Sequence, residues 1–218
     1  MSRVFKPKSE NQSNYVRMIV ENDLTFCIGP AGSGKTSVCV GIAMGHLLNN
    51  KCDQIIITRP TIGTDEEYSK GIGFLPGSLR DKMDPYLRPI YDEMLTYIDK
   101  HSLEQALYDE TIEIAPLDFM RGRTFHNAFV IMDEAQNCSY QQIKMFVTRL
   151  GKSSRMVING DIDQFDRKGH CALDEWFNDI IPEINGIGRI ELDKGDIVRH
   201  SLVSAILTAT EEYERSLK

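Results

Sequence analysis

The apolar residues of this chain fall into short runs that alternate with stretches of helical period. Leu24–Ile28, Gln54–Thr58, Ala128–Met132 and Arg155–Asn159 are brief, mostly apolar and flanked by turn-forming or polar residues, the pattern of buried strands. Weaker strands are expected at Thr111–Ile114 and Ile190–Leu192. Between the runs, Val38, Cys39, Ile42, Ala43, His46 and Leu47 share one face of a helix. A second helix carries Leu87, Tyr91, Met94 and Ile98. Asp84-Pro85 is its expected N-cap and first turn, and Pro89 either kinks it or moves its start later. A third covers 102–108. A fourth opens on a capping box, Ser139 to Gln142, and presents Ile143, Phe146, Val147 and Leu150 before Gly151 ends it. From about Ile197, the spacing of Leu202, Ile206, Ala209 and Tyr213 predicts a last amphipathic helix. Residues 60–82 hold many glycines and prolines with no sustained period and read as a long functional loop. Strands alternating with helices predict an α/β fold, a parallel sheet of about five strands with helices on both faces. The organisation expected is a single domain over 1–218, with 60–110 a long loop and helical insertion within it.

Composition narrows this picture only a little. At 218 residues the chain suits one α/β domain with a sizeable core. The five cysteines are scattered without a C-x-x-C pair, which points to reduced thiols and a cytoplasmic setting. His170-Cys171 has no second ligand pair with which to complete a zinc site. No stretch has the length of a membrane span, and the N-terminal residues lack the apolar core of a signal peptide, so no membrane partner is expected. A net charge of −7 argues against a surface that coats nucleic acid nonspecifically. Local basic clusters remain, at Arg3, Lys6, Lys8 and Arg17, and at Arg121 and Arg123.

The chemistry begins at Gly29-Pro30-Ala31-Gly32-Ser33-Gly34-Lys35-Thr36, a complete G-x-x-x-x-G-K-[S/T] loop. Its glycines permit a tight turn whose N–H groups face phosphate oxygens. Lys35 can reach the β- and γ-phosphates, and Thr36 can ligate Mg²⁺. Ser37 extends the nucleotide-binding run. The bare pattern would arise by accident in roughly one chain per hundred of this length. A strand before the loop and a helix after it make the match specific, and place the phosphates on a helix N-terminus. Farther along, the strand Ala128–Met132 ends in Asp133-Glu134. Asp133 is the expected metal ligand with Thr36, and Glu134 the residue that orients or deprotonates the attacking water. Gln164, shortly after another strand end, is a candidate sensor of the γ-phosphate. ATP and Mg²⁺ are the expected cofactors.

Beyond the P-loop, several segments are distinctive. They are Ile-Thr-Arg-Pro (57–60), Gly-Phe-Leu-Pro-Gly (73–77), Asp-Pro-Tyr-Leu-Arg-Pro-Ile-Tyr-Asp (84–92), Met-Arg-Gly-Arg-Thr-Phe (120–125), Asp-Glu-Ala-Gln-Asn (133–137), Thr-Arg-Leu-Gly (148–151) and Gly-Asp-Ile-Asp-Gln (160–164). In this order, over nearly the whole chain, they resemble the PhoH family. The resemblance implies a RecA-like P-loop NTPase fold, similar to the first motor domain of superfamily-one helicases. It also implies that Gln12 corresponds to the helicase Q motif that reads adenine, and that Arg199, in Asp-Ile-Val-Arg-His, is a transition-state finger. One departure is Phe165-Asp166-Arg167-Lys168, where the family continues with an apolar Asp-Leu-Pro. Relatives often carry an extra nuclease-like or RNA-binding domain, whereas this chain looks like the bare ATPase core of phage-encoded versions.

A motor with one such domain must borrow a neighbour's surface, so a homo-oligomeric ring is expected, hexameric by resemblance, with Arg199 reaching the next subunit's ATP. The function expected is a Mg-dependent ATPase coupled helicase-like to RNA or single-stranded DNA, with Arg59, Arg121 and Arg123 as candidate phosphate contacts. Two alternatives stay open. One is a nucleoside kinase of the thymidine-kinase type; the other is a nucleotide-gated assembly protein with slow hydrolysis.

Overall fold

Every central strand divides its side chains between two cores, as the period of two requires. In the computed structural model the described residues are 5–60, 79–165, 169–182, 184–197, 209–210 and 213, with only the backbone of 79–86. Strand β1 (Leu24–Ile28) sends Cys27 to one core and Leu24, Phe26 and Ile28 to the other. Strand β2 (Gln54–Thr58) splits Ile55 and Ile57 from Ile56, and β4 (Ala128–Met132) splits Phe129 and Ile131 from Val130 and Met132. Strand β5 (Arg155–Gly160) does the same with Val157 against Met156 and Ile158. Strands apolar on both faces must be covered on both, and they are.

The first core is closed by α1 (Glu10–Glu21), α2 (Lys35–Leu48), α3 (Leu79–Met94) and α4 (Lys100–Tyr108). The second lies under α5 (Tyr140–Val147) and α6 (Ala172–Glu175), the latter running into a π-helical turn at Trp176–Ile180. Edge strands β3 (Ile112–Ile114) and β6 (Ile187–Glu191) complete a six-stranded sheet in the order β3-β2-β4-β5-β1-β6. All its pairings are parallel. The α/β class expected from the pattern is the fold observed, and it is the RecA-like form that the family resemblance implies. After β1 the chain crosses past two strand positions to reach β2, so β4 and β5 sit between β1 and β2 and their C-terminal ends converge on the P-loop.

Four expectations need correction. Asp84 and Pro85 lie inside α3 rather than at its start, and Pro89 is also within the helix. A proline inside a helix costs about 3 kcal/mol, and burial of Leu87, Ile90 and Met94 in the first core offsets it. The same helix ends at Met94, before Ile98. Helix α5 ends at Val147, short of Gly151. The last strand starts at Ile187, not Ile190. Most of the loop expected over 60–82 and most of the C-terminal helix lie outside the described residues. Among the described residues, no helix is long and apolar enough to cross a membrane.

Candidate functional site

The P-loop owes its shape to its glycines. Gly34 has φ +93°, where an L side chain is strained, and a Cβ there would fall 2.6 Å from Nε2 of Gln12. Helix α2 starts directly after it, leaving its N-terminal N–H groups facing the loop. Lys35 curls back, its Nζ donating to the carbonyls of Gly29 (2.6 Å) and Pro30 (2.9 Å). Ser33 is buried and closes the turn with its hydroxyl on Pro30 O.

Asp133 follows β4, and Thr36 opens α2. The Thr36 hydroxyl lies 3.1 and 3.2 Å from the two Asp133 carboxylate oxygens, 97 positions apart in sequence. Asp133 is only 2% exposed. A buried carboxylate of this kind needs a cation, and here Arg59, from the end of β2, supplies one: Nη2 lies 2.5 Å and Nε 3.1 Å from Asp133 Oδ2. A hydroxyl and a carboxylate side by side form a hard-oxygen set that fits Mg²⁺. Among the described residues there is no cluster of three His, Cys, Asp or Glu that would hold a metal without help.

Glu134 adopts the left-handed conformation (φ 60°, ψ 36°), uncommon for a non-glycine residue. Its side chain is 44% exposed, with Oε1 4.0 Å from the same Arg59 Nη2 that holds Asp133. Its Oε2 accepts a 2.7 Å bond from Nε2 of Gln136. Gln136 Oε1 in turn accepts from the backbone N–H of Asp161, at the end of β5. Gln164 follows on a single 3-10 turn and is exposed.

Gln12 sits on the first turns of α1, 3% exposed. Its Nε2 donates to Ser33 O at 2.9 Å, and its Oε1 accepts from Lys8 N at 2.8 Å. Ser37 does not face the loop's partners; its hydroxyl donates to Glu93 Oε2 on α3 at 2.7 Å. Arg199 lies outside the described residues. Of the arginines expected to contact nucleic acid, Arg59 is engaged by Asp133. Arg123 forms a two-pronged pair with Glu113 (2.5 and 2.6 Å) over the ring of Phe125, and the Glu113 hydrogen bond raises its pKa. Arg121 is exposed.

Beneath the site lies a buried polar relay that sequence reasoning missed. The Tyr15 hydroxyl donates to Asn159 Oδ1, Asn159 Nδ2 to Cys39 Sγ (3.0 Å), and the Cys39 thiol to Thr36 O (3.3 Å). Burial pushes both the Tyr15 phenol and the Cys39 thiol well above their ordinary values, keeping them neutral donors. The one available signal was Asn159 itself, a polar residue inside an otherwise apolar strand. Gln136 was visible only as a letter of a longer motif, and Arg59 was read as a phosphate contact rather than as the partner of Asp133.

A PhoH-like protein family model matches residues 4–211. The PhoH-like protein of Synechocystis sp. is 43% identical over 98% of this chain and 63% of its own length. That of Bacillus subtilis is 46% identical over 93% of this chain and 62% of its own. The chain thus spans less than two thirds of these relatives. Among solved structures, the large terminase of a thermophilic bacteriophage is similar in fold, with TM-score 0.51, 14% identity, and coverage of 88% of this chain and 47% of the terminase. The family match, the identity to these relatives and a P-loop joined to Asp133 lead to one assignment: this chain belongs to the PhoH family.

Proposed function

We propose that this protein binds ATP with Mg²⁺ and hydrolyses it, as one subunit of a homo-oligomeric ring that acts on RNA or single-stranded DNA. The observation that carries the reading is the Thr36 hydroxyl resting on the Asp133 carboxylate, with Glu134 next in the chain. The P-loop N–H groups and Lys35 would hold the phosphates, Lys35 leaving the Gly29 and Pro30 carbonyls to do so. Thr36 and Asp133 would hold the metal, which when bound would offset the charge of the phosphates. Glu134 reaches into the cleft and takes a proton from water as the water oxygen bonds to the γ-phosphorus. The bond to the bridging oxygen breaks, and ADP leaves with inorganic phosphate.

Base selection follows from the hydrogen-bond capacity of Gln12. A carboxamide has two N–H donors and two lone pairs, and one of each is engaged by Ser33 and Lys8. The remaining N–H and lone pair match adenine N7 and N6, which favours ATP over GTP. Gln164, one turn past β5, is the candidate γ-phosphate sensor, and Arg199 the candidate finger supplied to a neighbouring subunit. Arg121 is the exposed arginine from which nucleic-acid contact would start.

The test is steady-state turnover of Glu134→Gln with and without single-stranded RNA and DNA. Loss of a general base predicts a drop of about 10²–10⁴-fold in kcat with Mg·ATP binding retained. Stimulation of the wild type by single strands, fading steeply with salt, is the expected sign of the nucleic-acid partner. Full turnover by the variant would refute the hydrolytic assignment.

A further inference from the structure

Glu134 is half-exposed on a left-handed kink, so the backbone alone does not fix where its carboxylate points. Arg59 Nη2 lies 4.0 Å from its Oε1, and Gln136 holds Oε2 by a direct hydrogen bond. Gln136 is 2% exposed, and its amide spans two loops that are 25 positions apart in sequence. The orientation of that amide is decided by chemistry. The Asp161 N–H, 3.1 Å away, can only donate, so the end facing it is the oxygen. The NH₂ end must then face Glu134, where it donates to Oε2 at 2.7 Å. Gly160 makes the contact possible, because a Cβ there would lie 2.9 Å from Gln136 Oε1 and 2.3 Å from Leu173 Cδ2. The Cys171 thiol, contacting the Gln136 carbonyl at 3.9 Å, borders the same loop.

We infer that Gln136 is the positioning residue of the reaction: it aims the Glu134 carboxylate at the attacking water and ties that aim to the strand end that carries Gln164. This rests on the hydrolytic reading above. It gives Gln136 a role that packing alone does not require, since a side chain present only to fill space would not need a donor toward Glu134 and an acceptor toward Asp161. It also gives the candidate sensor a direct route to the base. A shift of the Asp161–Gln164 turn pulls on Gln136 Oε1 and swings the carboxylate attached to the other end of the same amide.

The experiment is a double-substitution cycle on the full chain, measuring kcat and KM for ATP in the wild type, Gln136→Met, Glu134→Gln and the two together. Gln136→Met keeps side-chain length and removes both bonds. It should lower kcat about 10–100-fold, as expected of a misaimed base, with KM changed less than about threefold. In the Glu134→Gln background the same substitution should cost almost nothing, because residues acting through one group are not additive. Gln136→Glu is the second variant, retaining the acceptor for Asp161 while setting a carboxylate against Glu134. It should lose kcat comparably, and it serves if the methionine variant does not fold. Turnover of Gln136→Met, or of Gln136→Glu if it stands in, within twofold of the wild type overturns the inference if Glu134→Gln is impaired. So do losses that multiply in the double variant, the mark of a merely structural role. Full turnover by Glu134→Gln, or none by the wild type, overturns the hydrolytic reading itself and the inference with it.

Discussion

Arg59 and Asp133 make the sharpest prediction about this site. The carboxylate is 2% exposed and the guanidinium 16%, with two N–H groups on one oxygen. Removing one member of a buried pair costs about 3–5 kcal/mol, because the other charge is left unpaired. Here the Thr36 hydroxyl still contacts Asp133, and the arginine is partly wet, so Arg59→Met should cost about 2–4 kcal/mol. For a chain of this size that corresponds to a fall of about 5–15 °C in Tm. The single tryptophan, Trp176, is 8% exposed and stacked on Phe26, so its fluorescence follows global unfolding. The wild type and variant would be melted without ligand and again with saturating Mg·ATP. A cation delivered with the nucleotide takes over neutralisation of Asp133, so the deficit should shrink on loading. An unliganded variant that melts within about 2 °C of the wild type would refute the argument. A deficit that persists undiminished with Mg·ATP would show that Arg59 is not holding the cation's place.

Two further outcomes follow from the same geometry. Gly34→Ala forces a Cβ at φ +93° to within 2.6 Å of Gln12 Nε2; isothermal titration should show ATP affinity lowered by about tenfold or more, as expected of a strain of about 1–3 kcal/mol placed on the phosphate cradle. Asp196 is buried and, against the desolvation that opposes it, hydrogen bonds from Ser9, the Asp193 backbone and Asn11 hold it below the usual carboxylate range. A depressed folded-state pKa means stability that is fully present above the unfolded value of about 4 and is lost as pH falls through the folded one. Urea midpoints measured from about pH 6 down to about pH 2.5 should therefore fall less steeply in Asp196→Asn than in the wild type.

Most of the frame was legible from sequence because burial on both faces leaves so few patterns. Ile55-Ile56-Ile57 and Phe129-Val130-Ile131 could only be central strands, and Gly29–Thr36 between a strand and a helix could only be a phosphate cradle. The errors came where long-range packing outweighs a local rule. Two prolines inside α3 are tolerated because that helix buries one face against the first core, information no window of sequence contains. Within the candidate site, the sequence could pair Thr36 with Asp133 because each has a fixed chemistry at a recognisable spacing, and the fold does bring them together. Other bonds across the fold were not legible: Arg59 on Asp133, Gln136 between Glu134 and Asp161, Ser37 on Glu93. Arg123, offered by the sequence as a phosphate contact, is found paired with Glu113, a partner the local sequence does not announce.

The Tyr15–Asn159–Cys39 relay bears on how such a machine could move. It fastens the helix that carries Gln12, the phosphate cradle and strand β5 to one another through neutral hydrogen bonds that water does not reach. A hinge placed there would have to break several of them in a dry interior, each costing about 1–3 kcal/mol if left unmade. That half of the sheet is therefore the anvil of the molecule. If the ATPase reading proposed above holds, the movement it drives is expected on the opposite flank, where Arg59 after β2, Glu113 on β3 and Glu93 on α3 make contacts that charge can rearrange.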